Sequence, residues 1–353
     1  MQHRRQKKLL SVDIRHLAPD RVSPLEQSMT PSPEPSIPVR AAAGRLPDFF
    51  VVGHPKCGTS AMCQMLKRSP EIFIGLKEPG FFVPESRIGA GTGKRPRTLD
   101  AYLALYEDAA PGQLAGDATP WYLATATAAA EIAELQPSAR VVAIFREPAS
   151  FLRSLHAQHV QDQIETETDL LKALALEPSR REGHNIPAGC RRPHVLRYSD
   201  YLKYVEQLRR FHAVFPREQV LVLIYDDFRR DNEGTMRSVL RFLGASDAVP
   251  IEQLDANPTV RVRAPRLYEL VRRVTFGEGA LAQVSRSAIK AVTSRSVRGR
   301  ALAVQRQLQW GDPQPVDEAL MLELRRRFKV EVTALAEYLG RDLTTLWGYD
   351  QID

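Results

Sequence analysis

Residues 1–45 carry no apolar periodicity, and Ser28–Pro38 (SMTPSPEPSIP) is too rich in Pro and Ser to bury a core. The pattern predicts a disordered, basic, Pro-rich tail. Order is expected from Pro47. Phe49-Phe50-Val51-Val52-Gly53 is a continuous apolar run closed by glycine, the pattern of a strand buried on both faces. Ala61, Met62, Met65 and Leu66 then recur at helical spacing. Short strands are predicted at Phe73–Leu76, before Lys77-Glu78-Pro79-Gly80, and at Gln113–Ala115, ending at Gly116-Asp117. Leu123–Leu135 is Ala-rich and reads as a helix. Val141–Phe145 is an apolar strand broken by Arg146-Glu147-Pro148, and Pro148 suits the first position of the following helix. A helix over Tyr201–Phe215, a strand over Val220–Tyr225 and a helix ending near Gly244 follow. Leu324, Phe328, Val332, Leu335 and Leu339 form one stripe, with Gly340 as its stop. Apolar strands alternating with helices predict an α/β fold of three layers, α/β/α, around a central parallel sheet.

The length of 353 residues fits about two domains at roughly 150 residues each. The strands from Phe49 to Tyr225 read as one sheet, however, so a single domain over 46–350 is expected, with 264–348 mainly helical. Residues 274–312 are basic (Arg286, Lys290, Arg295, Arg298, Arg300) and read as helices or a flap.

Charged residues at 26% and hydrophobic ones at 43% exclude a largely disordered or fibrous chain. The net charge of +7 suits an anionic partner: nucleic acid, anionic lipid, nucleotide or polyanionic sugar. Only ten of the 49 basic residues are Lys. That skew is the mark of GC-rich coding and points to a bacterial source, and it makes each Lys near a motif worth noticing. Cys57, Cys63 and Cys190 are too far apart for a disulfide framework or a CxxC metal site, so a reducing, cytoplasmic setting and no metal are expected. No apolar run is long enough for a transmembrane helix. His3, Arg4, Arg5, Lys7 and Lys8 are followed only by Leu9 and Leu10, too little for a signal peptide.

Chemistry concentrates in two places. Gly53 to Ser60 (GHPKCGTS) is a Gly-bounded turn between a strand and a helix, the arrangement that aims backbone N–H groups at a phosphate. The Gly53-x4-Gly58 spacing matches a nucleotide triphosphatase loop, yet Thr59 stands where that loop requires Lys. The lysine sits inside the turn, at Lys56. Arg146 at a strand end and Ser154 in the next helix can hold a second phosphate.

These residues resemble sulfotransferases that use 3′-phosphoadenosine 5′-phosphosulfate (PAPS). Pro55-Lys56-Cys57-Gly58-Thr59-Ser60 is similar to their 5′-phosphosulfate loop, with Cys57 in place of the usual Ser. Arg146 to Ser154 is similar to their 3′-phosphate motif. Lys77-Glu78-Pro79-Gly80-Phe81-Phe82 and Gly116-Asp117-Ala118-Thr119-Pro120-Trp121-Tyr122 resemble segments of the carbohydrate (heparan-type) enzymes, with Asp117 for their Glu. The likeness implies a P-loop-like sulfotransferase domain over roughly residues 46–348. It implies that Pro55–Ser60, Arg146 and Ser154 bind PAPS or its product bisphosphate (PAP). By the same likeness Lys56 stabilises the departing phosphate and Glu78 is the general base. A family His two residues after that base is replaced by Gly80.

No metal, and no nucleic-acid partner, is then required. Arg261, Arg263 and Arg266 are candidates to add charge at the 3′-phosphate. His54 is the next candidate base; His156, His159, His184 and His194 follow. Loops at Ser86–Arg97 and Pro178–Pro193, including Arg180, Arg181, His184 and Arg192, are candidates for the acceptor side. Tyr198 and Tyr201 read as core. Asp226-Asp227 resembles the Mg²⁺-binding strand end of an ATPase, but without a Lys after Gly58 it reads as a capping pair. The acceptor stays open among sugar, lipid, polyketide, peptide and phenol. A P-loop kinase or NTPase, and a catalytically idle nucleotide or polyanion binder, are the alternatives.

Overall fold

A computed structural model describes residues 44–84, 95–190, 192–251, 261–262, 310–311 and 316–352. The tail over 1–43, most of the loop at Ser86–Arg97, Arg263, Arg266 and nearly all of 274–312 lie outside the described residues.

In chain order the elements are β1 (Phe49–Gly53), α1 (Thr59–Leu66), β2 (Ile72–Phe73), α2 (Leu99–Leu103), β3 (Leu114–Asp117) and α3 (Ala128–Leu135). They continue with β4 (Arg140–Phe145), α4 (Pro148–Gln161), α5 (Leu170–Ala175), α6 (Glu177–Arg181) and α7 (Tyr204–His212). Then come β5 (Val220–Ile224), α8 (Tyr225–Arg230) and α9 (Asn232–Leu243). After the small antiparallel pair β6 (Arg261–Val262) and β7 (Trp310–Gly311), the chain closes with α10 (Glu318–Leu339) and α11 (Leu343–Trp347).

The first five strands form one sheet in the order β2-β3-β1-β4-β5, and every pairing in it is parallel. β1 lies at its centre, with Phe49 opposite Arg140 and Gly53 opposite Ile144. All of β1 and all of β4 after Arg140 are buried. That burial explains why both strands read as unbroken apolar runs: a strand covered on both faces has no side left for polar residues. All strands end at one edge, and the loops after β1, β3, β4 and β5 gather there. In open parallel sheets this carboxyl edge is where ligands bind.

Local differences from the sequence reading have local causes. β2 is two residues long and begins before Phe73. The Ala-rich helix starts at Ala128, because Pro120–Tyr122 forms a 3₁₀ turn and the Thr125 hydroxyl donates back to the Trp121 carbonyl over 2.9 Å. Tyr201 belongs to a 3₁₀ segment, Tyr198–Leu202, ahead of α7, and Tyr225 opens α8 rather than closing β5. Gly244 and Gly340 adopt the left-handed stops expected of them.

Candidate active site

The turn after β1 supplies the site's floor. Lys56 and Gly58 both have positive φ, 70° and 86°, so successive peptide planes in the turn face alternately inward and outward. α1 begins at Thr59 with no side-chain cap, which leaves its first N–H groups for a ligand. Gly58 is dictated twice: by its left-handed backbone, and because a Cβ there would lie 3.0 Å from the Tyr225 ring. Cys57 is fully buried, and burial pushes its thiol up to about 12. It is inert, and only its backbone belongs to the turn. Thr59 is buried; Pro55, Lys56 and Ser60 are half-buried.

Arg146 at the end of β4 reaches across to this turn. Its guanidinium donates to the Lys56 carbonyl over 2.7 Å and lies 4.8 Å from the Tyr225 ring centre. Tyr204 donates to the Arg146 carbonyl over 2.9 Å. The structure therefore unites the two motifs that the sequence separates by 90 residues, and Tyr225 joins them by touching both. No signal in the sequence singled out Tyr225, beyond its place at the end of the predicted strand Val220–Tyr225.

Burial first, then the positive charge of Arg146, holds the Lys56 ammonium below the usual lysine range, while Asp162 opposes the shift. Two cations held on one turn favour a bound anion.

Glu147 caps α4, accepting from the Ala149 and Ser150 amides at 3.1 and 2.7 Å. The C-terminal segment secures it: Tyr349 donates to Glu147 over 2.7 Å, and Arg325 stands 3.6 Å away. Ser154 is buried two turns further along α4.

Glu78 stands on the strap that follows β2, with φ of 58°, and its Oε1 lies 2.6 Å from the Lys77 ammonium. No hydrogen bond or ion pair joins it to the Lys56 turn among the described residues. It and Lys77 are each about 30% exposed (29% and 32%), so the carboxylate is reachable. Gly80, where the heparan-type pattern has His, has φ of 68°, a conformation that favours glycine.

Several sequence candidates are placed elsewhere. His54 is fully buried against Phe145, Phe151, Tyr201 and Tyr204. Its Nε2 is 2.8 Å from Gln207 Oε1, while the Gln207 amide nitrogen donates to the Asp200 and Tyr201 carbonyls. With both amide hydrogens committed, the Gln207 oxygen must accept, so His54 carries its proton on Nε2. Burial lowers its pKa to about 3. A sealed imidazole is a structural group, not a base for an acceptor.

Arg180 is not an acceptor residue either. It lies in α6, 2.8 Å from Glu165, and both side chains are essentially inaccessible. His184 is exposed. Arg192 stacks 5.9 Å from the Trp121 ring centre. Tyr198 and Tyr201 are core residues, as expected. Asp226 accepts from Trp347 over 2.9 Å, and Asp227 pairs with Arg341 and Arg230 at 2.6 and 2.7 Å. They tie down the C-terminal helices rather than capping α8. No cluster able to hold a metal occurs among the described residues. No helix among them is long and apolar enough to cross a membrane.

Residues 46–257 match a family model described as the sulfotransferase domain. Over 253 residues the chain is 25% identical to human heparan sulfate glucosamine 3-O-sulfotransferase 3B1, covering 69% of this chain and 59% of that protein. It is 28% identical over 167 residues to mouse heparan sulfate glucosamine 3-O-sulfotransferase 6, covering 42% of this chain and 46% of that one. The chain thus spans about half the length of these relatives. Among solved structures, a sulfotransferase from Alicyclobacillus acidocaldarius superposes with a TM-score of 0.52 at 28% identity, covering 72% of this chain and 99% of that one.

Proposed function

The chain belongs to the sulfotransferase domain family, and on that premise we propose that it moves a sulfuryl group from PAPS to a hydroxyl or amine of an acceptor. The observation that carries the reading is the hydrogen bond that joins the Lys56 turn to Arg146, which places two cations at one sheet edge. A nucleotide bearing phosphates at both ends needs two such anion sites on one sheet edge. In this reading the turn's N–H groups, Thr59 and Ser60 hold the 5′-phosphosulfate, and Arg146 with Ser154 holds the 3′-phosphate.

Transfer is in line. The acceptor atom bonds to sulfur as the bond from sulfur to the 5′-phosphate oxygen breaks, and the electron pair stays on that phosphate. Lys56 meets the charge that develops there, a kind of contact worth about 3–4 kcal/mol of barrier. Glu78 takes the acceptor's proton; its solvent-reachable carboxylate supports that role, and Lys77 must turn away for it. Bisphosphate leaves as a stable anion, so the step needs no metal.

A P-loop kinase is the weaker reading. Thr59 replaces its essential Lys, and Asp226 and Asp227 are already engaged by Trp347, Arg341 and Arg230. The relatives act on glucosamine in heparan sulfate, and a carbohydrate hydroxyl is accordingly the first acceptor to test, ahead of lipids and phenolic natural products. All three cysteines are unpaired and buried, which supports a reducing, cytoplasmic setting. The test is transfer of radiolabelled sulfate from PAPS to such a panel. The wild type should label at least one acceptor and Lys56→Ala none. Labelling by both proteins would remove Lys56 from the chemistry, and PAPS left intact beside every acceptor class would leave the idle binder as the better account.

A further inference from the structure

The segment Gly116–Tyr122 has no part in the chemistry above, yet it holds a fully buried carboxylate. Asp117 ends β3. Its Oδ2 accepts from the hydroxyls of Tyr102 and Tyr122, each at 2.8 Å, and its Oδ1 from that of Thr119 at 2.6 Å. Three hydroxyl donors satisfy an ion that can only accept. Each donor also touches the strap that carries Glu78. Thr119 Oγ1 accepts from the Gly80 amide over 3.3 Å. The Tyr102 ring stacks on Phe81 at 4.6 Å and meets Phe82 edge-on at 5.4 Å. The Tyr122 ring meets Phe82 at 5.3 Å.

The strap needs such support. Lys77–Gly80 lies in no helix or strand, and Glu78, which is not glycine, has φ in the left-handed region. A conformation of that kind persists only when its surroundings over-determine it. The direction of the Thr119 hydrogen bond matters here. Because its proton is committed to Asp117, its lone pairs are free for the Gly80 N–H. An amide in place of the carboxylate would present one accepting oxygen instead of two, and the hydroxyl facing its NH2 would have to accept and turn its own proton elsewhere.

We propose that Asp117 is a positioning residue for the sulfuryl-transfer reaction, fixing Thr119, Tyr102 and Tyr122 so that they clamp Gly80–Phe82 and hold Glu78 in place. The assignment rests on Glu78 being the base. Burial, the largest cause, pushes the Asp117 carboxyl up to about 6; the three hydroxyl donors oppose this, and Glu78 adds to it. The site thus retains an anion at a cost that a neutral residue would avoid, which fits a requirement for its acceptor geometry.

Two measurements test this on the intact protein. The first is amide exchange over 77–84 in Thr119→Val, Thr119→Ser and Asp117→Asn. Thr119→Val and Asp117→Asn should exchange at least tenfold faster there while α1 and β4 are unaffected, and Thr119→Ser should match the wild type. Unchanged strap exchange in Thr119→Val, a near-isosteric change that spares folding, overturns the proposal without reference to activity. The second is sulfate release from PAPS to water, or to an acceptor once one is known. Thr119→Val should lower kcat about 10- to 100-fold with PAP affinity within about twofold, and Thr119→Val with Glu78→Gln should be no slower than Glu78→Gln alone. Losses that multiply would show that the network does not act through Glu78. Full activity in Glu78→Gln alone would sink the base assignment, whereas the exchange result would still judge the clamp.

Discussion

The Arg146 guanidinium donates to the Lys56 carbonyl over 2.7 Å, so the two halves of the anion site are one hydrogen-bonded unit. Arg146 also faces the Tyr225 ring, and one planar fork serves both contacts. A lysine ammonium cannot do both. Arg146→Lys should therefore weaken PAP binding about 10- to 100-fold by calorimetry, an effect of roughly 1.5–3 kcal/mol. Binding within twofold of wild type would mean the fork is dispensable.

Lys56→Ala should act on rate more than on binding. Single-turnover decay of PAPS should slow by about 10²–10³, the usual cost of losing one donor to a developing charge. A loss confined to PAP affinity would assign Lys56 to ground-state binding instead.

Gly58→Ala places a methyl against Tyr225 in a left-handed backbone. We expect a stability loss of at least about 1 kcal/mol in urea titration, together with lost PAP binding, since the turn must shift to admit the methyl. Wild-type binding would show that the turn is softer than its geometry implies.

Acid should destabilise the fold through buried histidines. Burial lowers His54 to about 3 and His159 to about 4, so both are neutral in the fold and charge readily once it opens. Below about pH 6.5 the unfolded chain binds more protons. Their contribution is complete above that pH and is lost as pH falls toward the folded values. Asp117, raised to about 6, acts oppositely: between about 4 and 6 the fold binds its proton more tightly, so its term weakens as pH rises. The histidine shifts are together larger, so net stability should fall on acidification. His54→Gln should flatten the urea midpoint's dependence between about pH 6.5 and 4 by an amount on the order of 4 kcal/mol at most. An unchanged slope would contradict the buried, neutral His54.

The C-terminal segment bears on the donor site from outside the matched region. Tyr349→Phe removes a hydroxyl from Glu147, the cap of α4 and the neighbour of Arg146. About 1 kcal/mol of stability should be lost, and PAP should bind a few-fold more weakly. Unaltered PAP affinity would confine Tyr349 to folding.

The strands that carry the site were legible because burial on both faces writes itself as unbroken apolar sequence in β1 and β4. The Lys56 turn was legible because glycines, a displaced lysine and flanking strand and helix lie within eight residues. Contacts between distant segments were not. His54 looked reactive in its loop, and what seals it, Gln207, lies 153 residues on. Arg180 read as an acceptor-side candidate beside Arg181 and Gly183, yet its partner Glu165 comes from 15 residues upstream. Tyr225 carries no motif and is defined only by the ring it presents to Gly58 and Arg146. Asp117 stood in a segment with a familiar pattern, but its three hydroxyl donors come from α2, a loop and a 3₁₀ turn that only folding assembles.

The most direct measurement is calorimetric titration of the full chain with PAP without Mg²⁺, and with ATP in the presence of Mg²⁺. A turn built around Lys56 and joined to Arg146 should bind PAP tightly without metal, lose that binding in Arg146→Lys, and take up ATP with Mg²⁺ weakly or not at all. Tight binding of ATP with Mg²⁺ and none of PAP would contradict the assignment of this site to a sulfuryl donor.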